Sequence, residues 1–199
     1  MAANDKKVDP RVKRTRQMLR DALIELILEK NYKDITVRDI TDRATLNRAT
    51  FYLHYRDKDE LMKQSADEVL EELTSSLESH IDETYDFNYR GVDPHPTFIH
   101  LFEQIAKNAS FYHALLKEKI VPHFIERMMQ ILENFISKGM LLVEPDNQRL
   151  ALPREIVENY LVSAFLGVIV WWLEAGRPYS PTYMAGALMR MANKGPYVD

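Results

Sequence analysis

The chain contains no cysteine. That excludes a disulfide framework and any thiolate-ligated metal centre, and it suits a reducing compartment. Glycine is scarce, with 6 in 199 residues, and no group of glycines forms a phosphate-cradling loop. A nucleophile elbow and a cluster of metal ligands are missing as well. His95, His100, His113 and His123 fall on different helical segments without i, i+4 spacing, so they read as solvated or hydrogen-bonded side chains. These absences argue against an enzyme, and no catalytic residue, cofactor or metal is expected. There is no alternating strand pattern and no internal repeat. Long hydrophobic runs are absent too. The longest, Tyr160 to Leu173, is broken by Ser163 and is shorter than the ~20 residues of a membrane span. It reads as a buried helix. The first ten residues lack the apolar centre of a secretory signal. The expectation is a cytoplasmic, all-α protein with no membrane association.

What is present is a 46% hydrophobic content, enough for a sizeable core. The net charge is −4, but it is unevenly placed. Residues 1–66 hold 15 Lys and Arg against 11 Asp and Glu, while the rest holds 11 against 19. A net +4 therefore sits at the N-terminal end, where a polyanion can bind.

About nine helices are legible. After a flexible basic arm, residues 1–13, an amphipathic helix runs from about Arg14 to Lys30. Its stripe is Met18, Leu19, Ala22, Leu23, Leu26 and Ile27. Thr36 caps a second, short helix with Asp39 as the partner of a capping box. Thr45-Leu46-Asn47 is a turn. Asn47 caps a third helix, Arg48 to His54, with Phe51 and Tyr55 on its inner face. Asp57 caps a long fourth helix, about Lys58 to Glu83. A loop follows, Tyr85 to Pro96. Further helices are predicted over Thr97–Lys107, Phe111–Glu118, Val121–Lys138 (stopped by Gly139), Pro153–Ala175 and Pro181–Ala192.

Two short helices joined by a tight turn and braced by a third make a helix-turn-helix, whose second helix enters the major groove. Ile40, Leu46 and Phe51 supply the apolar scaffold. Asn47, Arg48, Ala49 and Thr50 supply small or polar groups on the outer face of the reading helix. Thr36, Tyr52, His54 and Lys58 flank them as phosphate donors. The residues Thr36-Val37-x-x-Ile40, then Ala49-Thr50-Phe51-Tyr52-x-His54-Tyr55-x-x-Lys58-x-x-Leu61, with the first amphipathic helix, resemble the DNA-binding domain of the TetR family of bacterial regulators. The resemblance covers about Thr15 to Leu61. It implies base contacts by Arg38, Arg48, Ala49 and Thr50, beside the Asn47 already placed on the outer face, and phosphate contacts by Thr36, Tyr52, His54 and Lys58. Many members carry Gly where this chain has Thr45, because the turn there prefers positive φ. A β-branched residue is costly in that conformation.

The DNA-binding domain is expected over residues 14–58 and a regulatory and dimerisation domain over 59–199. The helix Pro153–Ala175 is apolar nearly all round, so both its sides should be covered, one by its own domain and one by a second copy. Ala164, Gly167, Val168, Trp171, Gly186 and Ala187 are the expected dimer contacts; the resemblance implies a bundle of the last two helices. Phe165-x-Gly167, Trp171-Trp172-Leu173 and Ser180-Pro181 also resemble a C-terminal type found in Firmicutes members, including the dihydroxyacetone-kinase regulator. Phe98, Phe102, Phe111, Tyr112, Phe124, Met128, Met129 and Tyr160 are candidates to line a pocket for a small apolar effector, or simply to fill a core. Two functions follow. One is a repressor of a palindromic operator on double-stranded DNA, released by such a ligand. The other is an activator or co-regulator controlled by a partner protein.

Overall fold

A computed structural model describes residues 9–79, 94–118, 121, 123–143, 150 and 152–194. Among these residues there are nine α-helices, one short 3-10 turn and no strand. The chain divides into two compact units, residues 1–68 and 69–199.

In the first unit, α1 spans Pro10–Glu29. It begins four residues before the expected Arg14. Asp9 is the N-cap, its carboxylate accepting from the Arg11 N–H at 2.8 Å, and Pro10 sits at the first helical position where its missing N–H costs nothing. A 3-10 turn, Tyr32–Asp34, leads into α2, Val37–Arg43. Then comes α3, Arg48–Tyr52, two residues shorter than expected. α4, Lys58–Ser79, begins in this unit and runs past the division at Glu68. Leu19, Leu23, Ile35, Ile40, Phe51, Tyr55, Leu61 and Met62 form the core. The apolar stripe of α1 is what they close upon, and α1 packs on α2 while α2 packs on α3.

The second unit contains α5, Pro96–Lys107; α6, Ala109–Glu118; α7, Phe124–Val143; α8, Arg154–Glu174; and α9, Pro181–Lys194. α5 packs on α9, and α7 and α6 both pack on α8. Gly139 does not stop α7, which continues through it to Val143. A mid-helix glycine costs only ~1 kcal/mol relative to alanine, too little by itself to end a helix. Gly176 (φ +73°) and Arg177 (φ +60°) end α8, with the Arg177 N–H returning to the Trp172 carbonyl at 2.8 Å. The buried Trp172 indole donates to the Tyr179 carbonyl at 2.9 Å. The expected loop, Tyr85 to Pro96, lies outside the described residues up to 93, and Pro96 itself opens α5.

α8 has the length and composition to cross a membrane, the one described helix that does. It is not simply buried. Val162, Phe165, Ile169, Trp172 and Leu173 face its own unit, whereas Ile156, Tyr160, Gly167 and Trp171 are exposed.

Candidate nucleic-acid interface

The short reading helix is held by local caps. The Thr36 hydroxyl accepts from the Asp39 N–H (3.2 Å), and the Thr36 N–H donates to the Asp39 carboxylate (2.8 Å), so the capping box of α2 is complete. Lys30 also donates to that carboxylate, at 2.9 Å. The Lys30 bond, with those from Thr36, holds the Asp39 carboxyl well below the usual carboxylate range.

The turn between α2 and α3 requires Thr45 at φ +56°. It is closed by the Leu46 N–H donating to the Thr41 carbonyl at 2.9 Å. Asn47 then starts α3, its side-chain carbonyl accepting from the Ala49 N–H at 2.8 Å. Phe51 anchors the helix inward. It meets Tyr52 edge to face at 5.5 Å and Tyr55 at 5.8 Å. Tyr55 is buried, its ring 6.0 Å from the Arg16 guanidinium carbon. Burial first, and Glu68 second, push its hydroxyl pKa up to about 12.

Arg48, Ala49, Tyr52 and Leu53 form the exposed side of α3, with Thr50 and His54 half-buried at its edge. Arg48 makes no ion pair or hydrogen bond among the described residues. Arg38 is also exposed, its Nε 3.5 Å from Asp42. Arg43 is committed otherwise: its guanidinium donates to Glu29 (2.6 and 2.9 Å) and Glu25 (3.1 Å), tying α2 to α1. Leu53 was not among the expected reading residues; its exposure follows from standing four residues after Ala49, on the outward side.

Lys58 is placed differently from the other flanking residues. Its ammonium donates to the carbonyls of Tyr32 (2.7 Å), Lys33 (3.1 Å) and Ile35 (2.7 Å) and lies 4.5 Å from the Tyr32 ring centroid. All three N–H donors of an ammonium are thereby used. The first turn of α4 is, moreover, already supplied with carboxylates. Asp57 accepts from the Glu60 N–H at 2.8 Å, and Asp59 accepts from the Tyr32 hydroxyl at 2.6 Å. That carboxylate and burial together push the Tyr32 hydroxyl pKa far up, burial contributing most.

A model of bacterial regulatory proteins of the tetR family matches residues 19–64, across this helix-turn-helix, and a model of a transcriptional regulator C-terminal region matches residues 93–194. The chain belongs to the TetR family of transcriptional regulators. The HTH-type transcriptional regulator YxbF of Bacillus subtilis strain 168 is 26% identical over 198 residues, which are 97% of this chain and 48% of that protein. The chain thus spans about half the length of the curated relative it matches. Among solved structures, the fatty acid degradation regulator FadR of Bacillus halodurans superposes with a TM-score of 0.69 at 17% identity, covering 98% of this chain and all of that one. The dihydroxyacetone kinase operon activator DhaS superposes at 0.61 with 20% identity, over 89% of this chain and 93% of that one. At these identities both show the TetR fold and no more, so the likeness to the dihydroxyacetone-kinase regulator is one of fold.

In the second unit of this TetR protein, the expected pocket residues separate into two groups. Phe102, Phe111, Tyr112, Phe124 and Met128 are buried, and Phe98 and Met129 half-buried. Several of these rings meet edge to face, Phe98 against Phe135 at 4.8 Å and Phe165 at 5.7 Å and Phe102 against Trp172 at 5.4 Å, while Tyr112 is tilted against Phe124 at 6.2 Å. Desolvation pushes the Tyr112 hydroxyl pKa up. Tyr160 does not join them. It is 64% exposed, because its place on α8 faces away from this cluster. A shallow groove of about 280 Å³ opens between α4 and α7, lined among others by Thr74, Arg127, Gln130 and Asn134.

Of the expected dimer contacts, Gly167 and Trp171 are exposed and Ala164, Val168, Gly186 and Ala187 half-buried. Gly186 faces its own chain: a Cβ there would lie 3.8 Å from the Pro94 ring. Among the described residues, nothing lies within 4 Å of a Cβ built on Gly167. With Ile156, Tyr160 and Trp171 it forms an exposed apolar line about 22 Å long at 1.5 Å per residue.

Proposed function

We propose that this TetR regulator is a homodimer that binds a palindromic operator in double-stranded DNA and represses transcription by occupying it. The observation that carries the reading is the exposed outer side of α3, where Arg48 stands beside Ala49 and Tyr52 with no partner among the described residues. Asn47, Arg48, Ala49 and Thr50 read bases, with Arg38 at the flank, and Thr36, Tyr52 and His54 meet phosphates. Lys58 is left out of the phosphate set because its donors are taken up by backbone carbonyls. The exposed line on α8 supports the dimer, whose twofold axis sets two α3 helices on half-sites about 34–36 Å apart. DNA as the target implies a cytoplasmic site of action.

Selection of bound DNA from a random pool tests this reading. A palindrome is expected, and Arg48→Ala should then lose discrimination at one or two base pairs per half-site. A selected sequence without twofold symmetry counts against the dimer, and unchanged discrimination in Arg48→Ala counts against the base contact.

Two controls of this repressor are open to test. A small apolar ligand among α5 to α8 would have to part the packed rings of Phe98, Phe102 and Tyr112. Control by a partner protein is the second reading. A series of apolar ligands that leaves both melting temperature and operator affinity unchanged supports the partner; a ligand that releases the operator supports the inducer.

A further inference from the structure

Leu53 is the most exposed large hydrophobic residue among those described, at 81%. An isolated exposed leucine is ordinary, but this one stands on the surface that faces DNA. Its N–H returns to the Ala49 carbonyl at 3.2 Å, so its backbone continues the turn of α3. Ala49 and Leu53 are therefore i, i+4 neighbours on one side of the helix. Arg48 and Tyr52 form the adjacent exposed row. The reading surface thus has a polar row and an apolar row side by side.

We propose that Leu53 is a specificity-determining residue that reads the 5-methyl group of a thymine in the operator. The proposal rests on α3 being the recognition helix. Leucine has no donor or acceptor for a phosphate or a base edge, so only apolar contact can reward its burial. In the major groove the thymine methyl is the apolar group a base presents. Four residues of helix advance about 6 Å, close to two base steps of about 3.4 Å. If Ala49 covers one base, Leu53 lies over a base about two steps away. The surface is continuous with the interface already described, so no second partner is needed to cover it. The bond that holds Leu53 in place is a backbone one, so the side chain can be changed without unfolding α3.

The test uses the full chain and the operator enriched from a random pool, with each thymine replaced singly by 2′-deoxyuridine in both half-sites. For the wild type, one replacement should weaken binding by about three- to fivefold per half-site, as expected for one methyl-sized group left unburied. Leu53→Ala should bind the parent operator more weakly by a similar factor and be indifferent to that same replacement. Leu53→Met should keep the sensitivity. Melting temperatures of both variants should match the wild type. Leu53→Ala that stays sensitive to every replacement overturns the proposal, as does an operator with no thymine opposite α3. A pool in which the wild type enriches no sequence overturns the reading of α3 itself, a different outcome from these two.

Discussion

Replacing Thr45 by glycine should make this protein more stable. Thr45 holds φ at +56° in the turn between α2 and α3. The left-handed conformation costs an L-residue about 1–2 kcal/mol, and branching at Cβ adds crowding. Glycine removes that cost but frees the unfolded chain, which returns about 0.4–1 kcal/mol. The side chain contributes little in compensation: it is exposed, and its hydroxyl makes no hydrogen bond among the described residues. The turn's own bonds, Thr45 N–H to the Asp42 carbonyl and Leu46 N–H to the Thr41 carbonyl, are backbone bonds that glycine keeps. The net gain is about 0.5–1 kcal/mol, or roughly 1–4 °C in melting temperature for a chain of this size. Urea titration and thermal unfolding of wild type, Thr45→Gly and Thr45→Ala at one protomer concentration measure it. Alanine keeps the Cβ, so it should recover less than glycine. A Thr45→Gly protein less stable than the wild type refutes the reasoning, and so does an alanine variant as stable as the glycine one.

Further outcomes are expected. Phe51→Ala should cost about 3–5 kcal/mol by opening the core of the DNA-binding unit and should abolish operator binding at 37 °C; calorimetry and a binding titration check both. Lys58→Met should lower stability while leaving the slope of log affinity against log salt unchanged; a slope reduced by about 1 would mean that Lys58 meets a phosphate after all. Asp39 has a folded-state pKa below its unfolded one, so its contribution is complete above the usual carboxylate range and is lost as pH falls through and below it. The stability gap between wild type and Asp39→Asn should accordingly narrow from pH 7 to pH 3 in urea titrations. Gly167→Glu should leave the protomer folded, since no described residue lies within 4 Å of its Cβ, yet shift sedimentation from dimer to monomer; a dimer that persists moves the interface off the exposed line of α8.

Local chemistry was the part of this structure legible in the sequence. The Thr36–Asp39 box, the Asn47 cap and the Pro181 start of α9 each need only residues within a turn of one another. So does the inward placement of Ile40 and Phe51. Lys58 was legible as a residue but not as a contact, because its partners lie 23 to 26 residues earlier. A separation of 14 to 18 residues likewise hid the pairing of Arg43 with Glu29 and Glu25, which consumes a cation that charge counting assigns to the DNA surface. Tyr160 was misplaced for another reason. α8 is apolar on every side, so periodicity could not tell which side its own unit would cover. Gly139 shows that a helix-breaking residue acts through a small energy, which a continuing helix can absorb.

The cap on α3 limits what that helix can say to a base. One lone pair of its carbonyl oxygen is taken by the Ala49 N–H, so Asn47 offers its amino group most freely. That group can donate to the N7 or O6 of guanine, the N7 of adenine or the O4 of thymine. The paired contact to adenine, one donor and one acceptor together, would have to share the oxygen with the cap. The residue that starts the helix thereby divides one amide between holding the helix and meeting a base.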